Sequence, residues 1–165
     1  MKRIYLVRHA TASDKREGLP DFERSLVKKG EKEAKAVARH LARRCPPPGL
    51  MISSFANRAI ETAHLFAKIL GYPVQRILLR ESLYGDPTPE ALMEEIGRVP
   101  DRLGAVMLFG HDPSFSRLAA HLVPDFREAL PKAGVFAAEF DADRWADVRG
   151  GAGRPVASLC PSRIK

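Results

Sequence analysis

Short apolar runs alternate with amphipathic segments along this chain, and that alternation decides most of what it can fold into. The runs Arg3 to Val7, Gly49 to Ser53, Val74 to Leu79 and Ala105 to Phe109 are rich in Val, Ile, Leu or Met rather than alternating with polar residues. Strands of a parallel sheet, buried on both faces, read that way. Between them, Ala34, Val37, Ala38 and Leu41 recur at i, i+3, i+4 and i+7, as do Phe115, Leu118, Ala119 and Leu122, and Ala59, Ala63, Phe66 and Leu70 follow a similar stripe. These are helices that face a sheet. The implied fold is α/β in three layers: a mostly parallel sheet with helices on both faces.

Local chemistry fixes several ends. Thr88-Pro89 and Asp112-Pro113 each place a capping side chain before a proline at the first helical position. Cys45 followed by Pro46, Pro47 and Pro48 ends the first helix. After Pro131 the pattern changes. Val135 to Phe140 reads as a strand and Trp145 to Val148 and Pro155 to Leu159 as weaker ones, with Gly150, Gly151 and Gly153 between them, which predicts an antiparallel edge. With no repeat, linker or low-complexity stretch, residues 1–165 are assigned to one domain.

The 165 residues, 45% of them hydrophobic, suffice for a core without disulfides or structural metal. The longest apolar runs, Ile4 to Val7 and Ala105 to Phe109, fall far short of the roughly 20 residues that span a bilayer. Met1-Lys2-Arg3-Ile4 enters a strand-like run directly, so no secretory signal is expected. Cys45 and Cys160 make neither a disulfide framework nor a zinc cluster, so a cytoplasmic protein is expected. The excess of 27 basic over 20 acidic residues, +7, points to an anionic partner.

Strand Arg3 to Val7 runs into Arg8-His9, and strand Ala105 to Phe109 runs into Gly110-His111. Arg58 follows strand Gly49 to Ser53 and Glu81 follows strand Val74 to Leu79. If those strands are parallel, all these groups reach the edge where open α/β sheets bind ligands. Two arginines, two histidines and a carboxylate converging there describe a site for a dianion with proton transfer nearby, and phosphate is the obvious dianion. A neutral imidazole attacks phosphorus well when its other ring nitrogen is pinned, which suits His9. Arg8 and Arg58 offer forked donors for the phosphoryl oxygens, and His111 adds another at a helix start. Nothing in this set demands a metal or another cofactor.

These motifs resemble the histidine phosphatase superfamily, the phosphoglycerate mutase-like group, and within it the SixA-type phosphohistidine phosphatases. Leu6-Val7-Arg8-His9-Ala10 is similar to the signature around the phosphorylated histidine, Ser54-Phe55-Ala56-Asn57-Arg58-Ala59-Ile60-Glu61-Thr62 to the second motif, and Gly110-His111-Asp112-Pro113 to the third. Asp21-Phe22-Glu23-Arg24-Ser25-Leu26 with Gly30 resembles the loop leading into the first helix of SixA-type chains. The resemblance implies a phosphoglycerate mutase-like fold, His9 as nucleophile, and Arg8, Arg58 and His111 as phosphate-binding groups. Leu79-Arg80-Glu81-Ser82-Leu83-Tyr84-Gly85 resembles the segment that carries the general acid, which nominates Glu81. Ala10, Phe55 and Asp112 depart from the usual glycine, proline and asparagine. None of these departures removes a catalytic side chain.

The expected activity is hydrolysis of a phosphorylated protein, phosphohistidine first, because no insertion long enough to recognise a metabolite interrupts Arg58 to His111. The alternative partner is a small phosphate monoester. A nucleic-acid-binding module has the net charge in its favour but no aromatic interleaving. Membrane binding is not expected, and a monomer is favoured. His40, His64 and His121, and the mixed charges Lys28, Lys29, Glu31, Lys32, Glu33 and Lys35, read as surface or half-buried helix positions. Arg24 reads as a loop salt bridge. Phe140-Asp141-Ala142-Asp143 lacks the following small residue of an aspartate-nucleophile phosphatase, and neither cysteine is followed by a phosphate loop.

Overall fold

The computed structural model describes residues 1–164. Strands β1 (Lys2–Arg8), β2 (Leu50–Ser53), β3 (Leu78–Leu79), β4 (Ala105–Gly110), β5 (Val135–Phe140) and β6 (Arg154–Leu159) form one sheet in the order β3-β2-β4-β1-β5-β6. β1, β2, β3 and β4 run parallel, and β5 and β6 add the antiparallel edge. Four helices accompany them: α1 (Lys28–Ala42), α2 (Asn57–Leu70), α3 (Pro89–Gly97) and α4 (Ser114–Leu122).

Successive strand residues serve opposite cores, which is why the runs carry no polar alternation. On one face Ile4, Leu6, Val106 and Leu108 pack with Leu92 and Ile96 of α3 and Phe115 and Leu118 of α4. On the other, Tyr5, Val7, Met107 and Phe109 pack with Val37 and Leu41 of α1 and Phe66 of α2. The three-layer α/β expectation thus describes the molecule.

Three local expectations are corrected. Val74 to Leu79 is not one strand: Val74–Arg76 forms a 3₁₀ turn closed by Arg76 N–H to the Pro73 carbonyl at 3.0 Å, and only Leu78–Leu79 pairs with β2. At a sheet edge with one neighbour, exposed Gln75 and Arg76 gain more from water than from a ladder. Trp145 to Val148 is likewise a 3₁₀ turn over Trp145–Asp147. Its Trp145 plugs the core, with Nε1–H donated to the Leu103 carbonyl at 2.9 Å and its backbone N–H to Asp101 Oδ1 at 2.8 Å. α4 begins at Ser114, one residue later than the proline rule predicts, and Asp112 Oδ1 caps it from Ser116 N–H at 3.0 Å. Thr88 caps α3 as expected, accepting from Ala91 N–H at 3.2 Å.

Register positions the site. Arg8 pairs with Gly110 across β1 and β4, and Ser53 with Phe109 across β2 and β4. The next residues along each strand, His9, His111 and Ser54, therefore emerge side by side at the carboxyl edge. His9 N–H bonds the Gly110 carbonyl at 3.0 Å and Ser54 N–H the Phe109 carbonyl at 2.9 Å. Gly110 lets Phe115 close beneath this edge, because a Cβ there would sit 2.5 Å from the phenyl Cζ.

Candidate active site

A cleft of about 300 Å³ at this edge is lined by Arg8, His9, Arg58 and His111, together with Lys15, Asp21, Arg24, Tyr84, Gly85 and Asp112. Four of the five groups named from the strand ends thus meet in one place. The His9 and His111 rings lie 5.3 Å apart. Arg58, in the first turn of α2 and only 5% exposed, reaches both, with Nε 3.4 Å from His9 Nε2 and Nη2 3.4 Å from His111 Nδ1.

His9 Nδ1 lies 2.8 Å from the Ala10 carbonyl. A carbonyl only accepts, so the proton sits on Nδ1 and the Nε2 lone pair is left toward the cleft. The Thr62 hydroxyl holds this segment against α2: it accepts from Ala10 N–H at 3.1 Å and donates to the Arg58 carbonyl at 2.7 Å. Burial lowers the His9 pKa to about 4, opposed by the Ala10 carbonyl and helped by the neighbouring arginines. Burial likewise lowers His111 to about 3, with His9 and Arg58 adding to the effect. Both rings are neutral at physiological pH, the state a nitrogen nucleophile needs. Arg8 donates Nη1–H to the Leu130 carbonyl at 3.0 Å, while its buried Nε lacks a hydrogen-bond partner among the described residues.

Asp21 and Tyr84 occupy the wall on which the sequence nominates Glu81. Glu81 is exposed on the 3₁₀ turn Glu81–Leu83 and does not line the cleft. Leu83, which takes the buried position of that turn, fixes its rotation, and the chain then extends to present Tyr84. The Tyr84 hydroxyl donates to Asp21 Oδ2 at 2.7 Å, its ring packing on Phe55 at 4.7 Å and on the His111 ring at 5.5 Å. Asp21 Oδ1 takes the Arg24 fork at 3.0 and 3.1 Å, so Arg24 is the loop salt bridge expected and also a cleft wall. Burial would raise the Asp21 pKa, but the hydrogen bonds from Tyr84, Arg58 and Arg24 hold it well below the usual carboxylate range. Burial and the same hydrogen bond push the Tyr84 phenol up. Asp21, Tyr84 and Ser54 all lie in segments whose pattern points to other residues, and no periodicity marks them.

The histidine phosphatase superfamily (branch 1) model matches residues 4–130. The chain belongs to the histidine phosphatase superfamily. As a member it is a phosphatase. Among relatives of this histidine phosphatase, the uncharacterised protein MT1313 of Mycobacterium tuberculosis is 30% identical over 156 residues, covering 88% of this chain and 93% of its own length. Among solved structures, a protein histidine phosphatase SixA complexed with tungstate aligns with a TM-score of 0.84 at 17% identity, over 99% of both chains. A SixA-assigned protein of Agrobacterium tumefaciens gives 0.82 at 24% identity, over 97% and 98% of the two chains. A mycobacterial glucosyl-3-phosphoglycerate phosphatase gives 0.70 at 15% identity, over 95% and 98%. These likenesses establish the phosphoglycerate mutase-like fold. No helix among the described residues is long and apolar enough to cross a membrane.

Proposed function

We propose that this phosphatase works through a phosphorylated His9 and that its substrate is a phosphohistidine side chain on another protein. The observation that carries the mechanism is the His9 ring, with Nδ1–H committed to the Ala10 carbonyl and Nε2 left toward the cleft beside Arg58. The Nε2 lone pair forms a bond to phosphorus while the bond to the leaving group breaks and carries its electron pair away. Water then forms the new P–O bond, the His9–phosphorus bond breaks, and the water proton is released as His9 returns to neutrality. Arg8, Arg58 and His111 oppose the charge on the phosphoryl oxygens in both transition states. The unpaired Arg8 Nε–H supports this reading, since a buried donor left without a partner suits a group kept for a bound anion.

Two features support phosphohistidine. The chain between β2 and β4 holds only α2, β3, α3 and short turns, so the cleft stays open enough for a side chain standing on another protein. On its wall, Asp21 is held ionised and Glu81 lies elsewhere, which favours a leaving group that needs no proton from the enzyme. An imidazole already protonated meets that condition and an alkoxide does not. Small phosphate esters, the substrate class named for the mycobacterial structural neighbour, are the competing reading.

Incubation with a labelled phosphodonor followed by an alkaline quench is expected to leave acid-labile phosphate that His9→Ala abolishes. A phosphoenzyme persisting in His9→Ala moves the nucleophile elsewhere. The kcat/KM for a phosphohistidine-bearing domain is expected to exceed that for phosphorylated sugars or glycerates by at least about tenfold, roughly 1.4 kcal/mol. A metabolite that equals the protein substrate replaces the phosphohistidine reading with the ester one.

A further inference from the structure

We infer that Ser54 donates its hydroxyl proton to Nε2 of His111, which leaves the His111 proton on Nδ1 and makes the ring a neutral hydrogen-bond donor on the cleft side. Ser54 is fully buried just beyond β2, and among the described residues its Oγ has two polar neighbours. One is Ala56 N–H at 3.2 Å, which only donates. The other is His111 Nε2 at 2.8 Å. The Ser54 hydroxyl hydrogen therefore has one acceptor, the Nε2 lone pair. The opposite tautomer would aim two donors at Oγ and strand the hydroxyl hydrogen in the core, a cost of the kind buried polar groups avoid.

The far side of the ring gives the competing argument. Arg58 Nη2 lies 3.4 Å from His111 Nδ1 and would prefer an acceptor there. That contact is long, and of the two Nη2 hydrogens one is already taken at 2.9 Å by Asp21 Oδ2, so a proton on Nδ1 forfeits a single weak bond. The 2.8 Å bond in the buried pocket outweighs it. With the proton on Nδ1, the His111 N–H and the Arg58 N–H groups are neighbouring donors from which an anion bound in the cleft can accept together. On the phosphatase reading, this is one half of an oxyanion cradle: His111 serves without first taking up a proton, and His9, whose own proton is held on Nδ1 by Ala10, presents the complementary lone pair at Nε2. Two partners, a backbone carbonyl for His9 and a serine hydroxyl for His111, thus give adjacent histidines opposite roles. Ser54 is a positioning residue in this scheme.

The test is the histidine tautomer itself. In the full chain labelled with ¹⁵N-histidine, with the His111 signals assigned by their loss in His111→Gln, long-range ¹H–¹⁵N correlation spectra at neutral pH are expected to show Nδ1 protonated and Nε2 bare. A wild-type spectrum with the proton on Nε2 overturns the inference, whatever the activity. Ser54→Ala is expected to remove the tautomer preference and lower kcat on a small aryl phosphate by about 10- to 100-fold with KM within about threefold, and Ser54→Thr to restore both. An alanine variant with the wild-type tautomer and kcat overturns it. Should the alanine variant fail to fold, the wild-type and Ser54→Thr spectra still decide. A missing phospho-His9 would instead remove the phosphatase mechanism and leave the tautomer result standing.

Discussion

Arg58 holds Asp21 twice, through Nη1–H to the main-chain carbonyl and Nη2–H to carboxylate Oδ2, both at 2.9 Å. The carboxylate therefore fixes the fork and, on the mechanism proposed above, also competes with a phosphate dianion for it. Asp21→Asn keeps the main-chain contact and removes the charge. We expect kcat to fall about tenfold, from the weakened charge-assisted bond, without a rise in KM, since repulsion of the incoming dianion also falls. Steady-state kinetics on an aryl phosphate measure both. A raised KM at unchanged kcat would mean that Asp21 binds substrate directly.

Glu81→Gln is expected to leave kcat/KM within about twofold on an alkyl phosphate as well as on a phosphoramidate. A working general acid contributes about 10²–10⁴ in rate, and an exposed side chain outside the cleft is not placed to supply it. A selective loss on the alkyl ester would show that the 81–88 turn closes over bound substrate.

Stability should fall on mild acidification. His9 and His111 have folded pKa values lowered to about 4 and about 3 from an ordinary 6.5, so the unfolded chain binds protons that the folded one refuses. Their contribution is whole above pH 6.5 and is lost as pH falls toward 4, on the order of 3 kcal/mol for His9 at 1.36 kcal/mol per unit. In a chain of this length that lowers the melting temperature by roughly 6–10 °C. Calorimetry from about pH 7 to 4.5 should show this slope, flattened in a His9→Ala/His111→Ala double variant. An identical slope in the double variant would place the titrating groups elsewhere.

Gly30, on the buried side of the first turn of α1, carries the 10–27 excursion close above it. A Cβ at this position would lie far inside contact distance of the Thr11 carbonyl oxygen, a backbone atom that cannot rotate away. Gly30→Ala should therefore cost about 1–3 kcal/mol in urea unfolding and lower kcat, because the shifted segment carries Lys15 and Asp21 on the cleft wall. Full stability with full activity would show that the segment moves freely and positions nothing.

Strong periodicity made several elements legible from the residues alone. β1, β4 and β5 announce themselves because strands flanked on both sides are apolar at nearly every position, and α1, α2 and α4 because a helix on a sheet must carry one stripe. Arg8, His9, Arg58 and His111 were legible for a related reason: each lies at or just beyond a strand end, and parallel strands deliver their carboxyl-terminal neighbours to one edge. The segments between those elements were settled by packing. Glu81 and Tyr84 sit three residues apart on one short turn, and only the burial of Leu83 determines which of them sees the cleft. Trp145 reads as strand until the cavity beside Leu103 takes its ring. Asp21 meets Arg58 and Ser54 meets His111 across 37 and 57 residues of chain. Such pairings leave no local pattern, because a hydrogen bond between distant loops is fixed by the packing beneath them and not by the spacing along them.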